Sequence, residues 1–185
     1  MSMQPSTASG WKISVLRRLV LPLLLVLVVP WMTHAQQWST YQPVGAGFSI
    51  DLPGDPTMES ETSESAAGPV ETHSASVEVG QAGYVSMYTI YPESTGMEAD
   101  EALDAARDGM LEDGKSELRE EKRLTIGNLP ARRVSLYDTE SKLVIVNLMV
   151  YRRNTLYQSI YAAPPDQEDT DTSRRFFASF RLIGG

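Results

Sequence analysis

Cysteine is absent from all 185 residues. Its absence excludes disulfides, thiolate metal sites, cysteine nucleophiles and a lipid-modified N-terminal cysteine, so the core alone must hold the fold. Histidine is nearly as scarce, with two in the chain. That number is too small for a zinc site built on histidine and cysteine. No Gly-rich phosphate loop, dinucleotide fingerprint or G-x-S-x-G elbow occurs. Positive charge is in deficit as well: 16 Lys+Arg stand against 24 Asp+Glu, for a net charge of −8.

Long apolar runs are also rare, and the one conspicuous run lies at the start. Lys12, Arg17 and Arg18 precede LVLPLLLVLVVPWM, after which Thr33-His34-Ala35 places small residues where a signal peptidase cuts. A basic region, an apolar region and a small-residue end make a secretory signal over residues 1–35. The apolar run, Leu19 to Met32, is 14 residues long and interrupted by Pro22 and Pro30. A transmembrane helix needs roughly 20 residues, so a retained N-terminal anchor is the minor alternative. Cleavage after Ala35 leaves residues 36–185 as one domain. It removes three basic residues and no acids, so 13 Lys+Arg face 24 Asp+Glu, a charge of −11. The expectation is an exported protein, periplasmic or extracellular. Its charge repels nucleic acid and anionic membranes.

The rest of the chain reads as strands, helix, strands, helix. FSIDLP (residues 48–53) alternates apolar and polar and ends at Pro53-Gly54. The Ser/Thr/Glu-rich stretch that follows reads as two exposed strands joined by a loose hairpin, with Gly68-Pro69 supplying the turn. AGYVSMYTIY (residues 82–91) is a stronger strand. Ala99, Leu103, Ala106 and Met110, widened by Ala102 and Leu111, form the apolar stripe of a helix with acids in its first turn. Strands resume over residues 116–126 and 131–138. KLVIVNLMVY (residues 142–151) reads as a central strand covered on both faces, and a further strand follows over residues 155–162. Pro164-Pro165 breaks the sheet, and residues 166–180 read as a last helix with Phe176, Phe177 and Phe180 on one side. Short connections make the sheet mostly antiparallel, and both helices must bury their stripes against it. The fold class is α+β, an antiparallel β-sheet flanked by helices. In TSRRFFASFRL the phenylalanines then serve the core rather than a binding surface, since burial is worth roughly 1.5–3 kcal/mol for each.

Several constellations could carry chemistry. His73, the single histidine after residue 35, shares a strand face with Ala75, Val77 and Val79, while Ser74 and Ser76 point the other way. That arrangement suits a hydrogen-bonded strand histidine better than the base of a hydrolase. Asp166, Glu168, Asp169 and Asp171 supply the oxygen ligands Ca²⁺ prefers but lack the loop of an EF-hand, and acids at a helix start are also expected from capping. Three Arg-Arg pairs follow residue 35: Arg132-Arg133, Arg152-Arg153 and Arg174-Arg175. Strand neighbours face opposite ways, so Arg132-Arg133 cannot act as a unit, whereas Arg152-Arg153 in a turn could hold an anion. Solvated surface charge is the plainer expectation for all three. No catalytic or cofactor-binding residue is identified.

The order of elements resembles the PsbP-like group of exported bacterial domains, which includes relatives of photosystem II's PsbP and the DcrB proteins. FSIDLP, EALDAARDGMLEDGK, GNLPARRVSLYD, RRNTLYQSIYAAP and RRFFASFRL carry that resemblance through their order, with the Gly127 to Arg132 region, Leu156-Tyr157 and the Phe176-x-x-Ser179-Phe180 spacing among its elements. It implies an α/β/α sandwich around an antiparallel sheet and no catalytic residues. The functional expectation is an exported, non-enzymatic accessory or scaffold domain that supports or binds another cell-envelope component. The alternative is a binding protein for a small ligand or a metal ion such as Ca²⁺.

Overall fold

The structure, a computed structural model, describes residues 37–112 and 114–184. The secretory signal expected at residues 1–35 lies outside them. Among the described residues no helix is long and apolar enough to cross a membrane.

The fold is α+β. Seven antiparallel strands form the main sheet: β3 (Thr57–Ser65), β4 (Gly68–Val79), β5 (Ala82–Ile90), β9 (Thr155–Ala163), β8 (Val144–Arg152), β7 (Leu129–Asp138) and β6 (Ser116–Ile126), in that spatial order. β8 and β9 lie inside the sheet; β8 reads in sequence as a near-continuous apolar run because both of its faces are covered, while β9 buries Gln158 and Ser159 among its apolar residues. β3 and β6 form the edges and carry charge instead. All nine residues of β3 are exposed, with Glu59, Glu61 and Glu64 among them, which discourages a further strand from pairing there.

Helix α1 (Ala99–Gly109) covers one sheet face over β7 and β8. It buries Ala102 and Leu103 against Val134, Leu136, Met149, Tyr151 and Leu156, as its stripe requires. The other face is covered by helix α2 (Asp171–Ser179) and by a separate three-stranded sheet in which β2 (Phe48–Leu52) lies between β1 (Ser39–Tyr41) and β10 (Arg181–Leu182). Phe48 sits at the centre of this second core. Its ring meets Tyr41, Tyr88 and Tyr157 edge-on and stacks on Phe180 at 5.9 Å. Phe176 is fully buried and meets Tyr84 at 5.4 Å. Ser179 Oγ accepts the backbone N–H of Asp51 at 2.9 Å, which fastens α2 to β2.

Three details differ from the sequence reading. The last helix begins at Asp171 rather than residue 166. Thr170 is extended and forms a capping box with Ser173, each side chain accepting the other's backbone N–H, while Pro165–Gln167 makes a separate 3-10 turn. The β3–β4 hairpin is tight, with only Ala66 and Ala67 outside the ladder, and Gly68-Pro69 belongs to β4. Arg132 is not solvated surface charge. It is 1 % exposed and points at α1, where it contacts Asp104 and, at 3.3 Å, Asp100, while Glu121 of the neighbouring strand β6 lies at 3.2 Å.

Candidate binding groove

α2 is nine residues long and cannot cover the whole face on which it lies. The hairpin of β6 and β7, turned at Gly127 and Asn128, extends beyond it. Register places Leu124 opposite Ala131 and Ile126 opposite Leu129, and Ala131 opposite Val150 of β8. Leu124, Ile126, Leu129 and Leu148 therefore share the face that α2 occupies farther along. The first three remain half-buried. Phe177, Phe180 and Leu182 form the opposite wall. Between them lies an open groove of about 810 Å³. A solvent-filled groove with aliphatic and aromatic walls gains free energy from any apolar group that enters it, at roughly 25 cal/mol per Å² removed from water.

The groove lining contains no carboxylate; its charged members are Arg152 and Arg181. Arg152 donates to the backbone carbonyls of Gly47 at 3.2 Å, Ile183 at 3.3 Å and Gly184 at 3.1 Å, and its guanidinium lies over the ring of Tyr157 at 5.8 Å. Gly47 has φ +72°, and a Cβ there would collide with this guanidinium, so glycine makes the approach possible. Arg181 donates to the carbonyl of Phe180 at 2.7 Å. Arg133 lies over the Phe177 ring at 5.4 Å. Arg153 is exposed in the β8–β9 turn with φ +60°. It lines a smaller cleft of about 270 Å³ that shares Arg152 with the groove.

The other sequence candidates lie elsewhere. His73 is half-buried at the margin of the aromatic core, stacked on Tyr88 at 4.7 Å, with Nδ1 hydrogen-bonded to Ser60 Oγ at 2.8 Å and Nε2 3.8 Å from Glu71. Its serine partner comes from the facing strand β3, not from Ser74 or Ser76. Glu168 accepts from Ser135 Oγ at 3.0 Å and from Arg119 at 3.1 Å. Asp169 and Asp171 both pair with Arg174, at 2.8 Å and 2.5 Å. Asp166 sits apart in the 3-10 turn. Among the described residues no group of three or more His, Asp or Glu side chains converges as a metal site would. The groove itself escaped the sequence reading. Its signal was the apolar alternation of Leu124 and Ile126 inside the otherwise charged strand SELREEKRLTI.

No protein-family model matches the chain, and no curated protein matches it in sequence. The fold is similar to the solution structure of cyanobacterial PsbP (CyanoP) from Synechocystis, with a TM-score of 0.55 and 11% identity over 80% of this chain and 94% of that one. At that identity the likeness is one of fold, and on that level it agrees with the resemblance read from the sequence. A Pseudomonas aeruginosa protein of unknown function is looser still, at TM-score 0.37 and 12% identity over 70% of this chain and 85% of that one, too loose to bear on the fold.

Proposed function

We propose that the chain is an exported, non-catalytic accessory domain that docks another cell-envelope protein in the groove between α2, β10 and the β6–β7 hairpin. The observation that carries this reading is the composition of the groove. Leu124, Ile126, Leu129 and Phe177 leave apolar surface open to water on a strongly acidic protein, and such patches mark interaction sites. The lining supplies aliphatic, aromatic and guanidinium groups. These bind and orient, as do the Thr125 hydroxyl and the Asn128 amide beside them, and the lining holds no His, Asp or Glu to act as a general base for that hydroxyl. The groove is open along its length, a shape that suits a protein segment better than an engulfed small molecule, whose sites bury most of the ligand.

The test is affinity capture of the tagged full-length chain at native expression, crosslinked in intact cells, beside Ile126→Asp and Leu129→Asp. Both residues are half-buried at the hairpin end, so a carboxylate there remains hydrated and the fold survives. A reproducible partner lost from both variants is the expected result. Retention of that partner by both variants, or recovery of the chain alone, overturns the reading.

A further inference from the structure

The partner's chemistry follows from how the arginines are distributed. Ten arginines fall within the described residues. Arg107, Arg119, Arg123, Arg132, Arg174 and Arg175 each have a carboxylate oxygen within 4.0 Å. Arg133, Arg152, Arg153 and Arg181 have none among the described residues, on a chain with 24 acids to choose from. These four are not scattered. Arg152 and Arg181 line the groove, Arg133 lies over its Phe177 wall, and Arg153 lines the cleft that shares Arg152. Where they are bonded, it is to neutral carbonyls, which orient a guanidinium without cancelling its charge. The groove is therefore a cationic, apolar strip on an otherwise acidic surface.

We infer that the occupant is an extended segment of a partner protein in which apolar side chains are flanked by aspartate or glutamate. Its apolar groups lie along Leu124, Ile126 and Leu129, and its carboxylates meet Arg153 and Arg181, with Arg133 and Arg152 adding to the field. Arginine suits this role because its planar donors pair with carboxylates in two-point contact. The net negative charge of the domain repels an acidic segment everywhere else, so the same charges that attract it also fix its register. This inference rests on the docking reading above and specifies its partner.

The experiment places a photoactivatable amino acid at Leu129 of the full-length chain in intact cells, with Met58 on the exposed strand β3 as the off-site position. Mass spectrometry then identifies the crosslinked peptide. The expected product is a partner segment carrying both apolar and acidic residues, formed from position 129 and not from 58. Arg153→Glu and Arg181→Glu should each lower its yield roughly tenfold, as reversal of a partly desolvated interfacial charge does, and added salt should lower it too. Arg174→Glu, remote from the groove lining, should leave it unchanged. Circular dichroism of each variant confirms that it folds. A peptide adduct that lacks acids, or that survives both reversals, overturns the inference and leaves the docking reading standing. An adduct with a fatty acid, with a second copy of this chain, or with nothing overturns both.

Discussion

Arg132 of β7 and Glu121 of β6 sit diagonally across the ladder, with Nη1 donating to Oε1 at 3.2 Å on the face that α1 covers. Asp100 and Asp104 of the helix reach the same guanidinium, and Arg107 ties Asp104 and Glu121 together at 3.0 Å and 3.1 Å. α1 fully buries only two residues, Ala102 and Leu103. The ion network is thus a large share of what fixes its position.

Removing the buried member should cost more than removing one of its partners. Arg132→Ala strips three carboxylates of their common cation and should destabilise the domain by about 3 kcal/mol, the low end for a broken buried network, because Asp100 and Asp104 retain solvent. Asp104→Asn leaves Arg132 with Glu121 and Asp100 and should cost about 1 kcal/mol. Urea unfolding of both variants checks the ranking. Equal losses would mean that α1 is held by its apolar stripe alone.

The phenylalanines of α2 should separate by burial. Phe176 is fully buried, Phe177 is half-buried with Arg133 over it, and Arg174 is exposed. Phe176→Ala should cost about 3–5 kcal/mol, Phe177→Ala less, and Arg174→Ala under about 0.5 kcal/mol. At roughly 2–4 °C per kcal/mol for a domain of this size, Phe176→Ala should lower Tm by about 10 °C. Similar small shifts from all three would remove α2 from the core.

Much of this arrangement was legible because it rests on period. The 3.6-residue stripe of α1 and the apolar run of β8, broken only by Asn147 before Arg152 ends the strand, each have one reasonable reading. The start of α2 was not legible: Asp166, Glu168 and Asp169 look like a helix's first turn, yet Thr170 and Ser173 cap the helix after them. β1 and β10 are three and two residues long, too short to show a period, and they exist because β2 offers them an edge. Alternation correctly separated Arg132 from Arg133. Which of the two is buried depends on the acids of α1, and that is tertiary information. The groove is tertiary too, since it is the part of one sheet face that a short helix leaves bare.

The tyrosines set an alkaline limit on stability. Burial, and then the neighbouring Tyr161, push the Tyr84 phenol up to about 12. Burial also raises Tyr41, Tyr88, Tyr91 and Tyr151. Below the unfolded value of roughly 10 these phenols are neutral in both the folded and the unfolded chain, so they give stability no slope with pH there. Above pH 10 the unfolded chain releases protons that the native state retains, so stability falls as pH climbs from about 10 toward 12. Tm should be flat from neutral pH to about 9 and drop beyond it, with a shallower drop in Tyr84→Phe. Phenolate absorbance followed against pH, alongside Tm, reads both effects. Full phenolate formation near pH 10 without unfolding would contradict the burial of these rings.

Calcium should leave the protein unchanged. Ca²⁺ gathers six to eight oxygens into one shell, and the acids of DQEDTD are dispersed. Glu168 faces Ser135 and Arg119, Asp169 and Asp171 flank Arg174, and Asp166 stands in the 3-10 turn before them. A cation would have to displace two arginines and then draw carboxylates together from a turn and a helix end. Ligand that binds only the native state raises Tm by mass action, so thermal unfolding with and without millimolar Ca²⁺ is decisive. Coincident curves are expected. A rise of several degrees that Asp171→Asn abolishes would show instead that the segment before α2 reorganises around the ion, releasing Arg119 and Arg174.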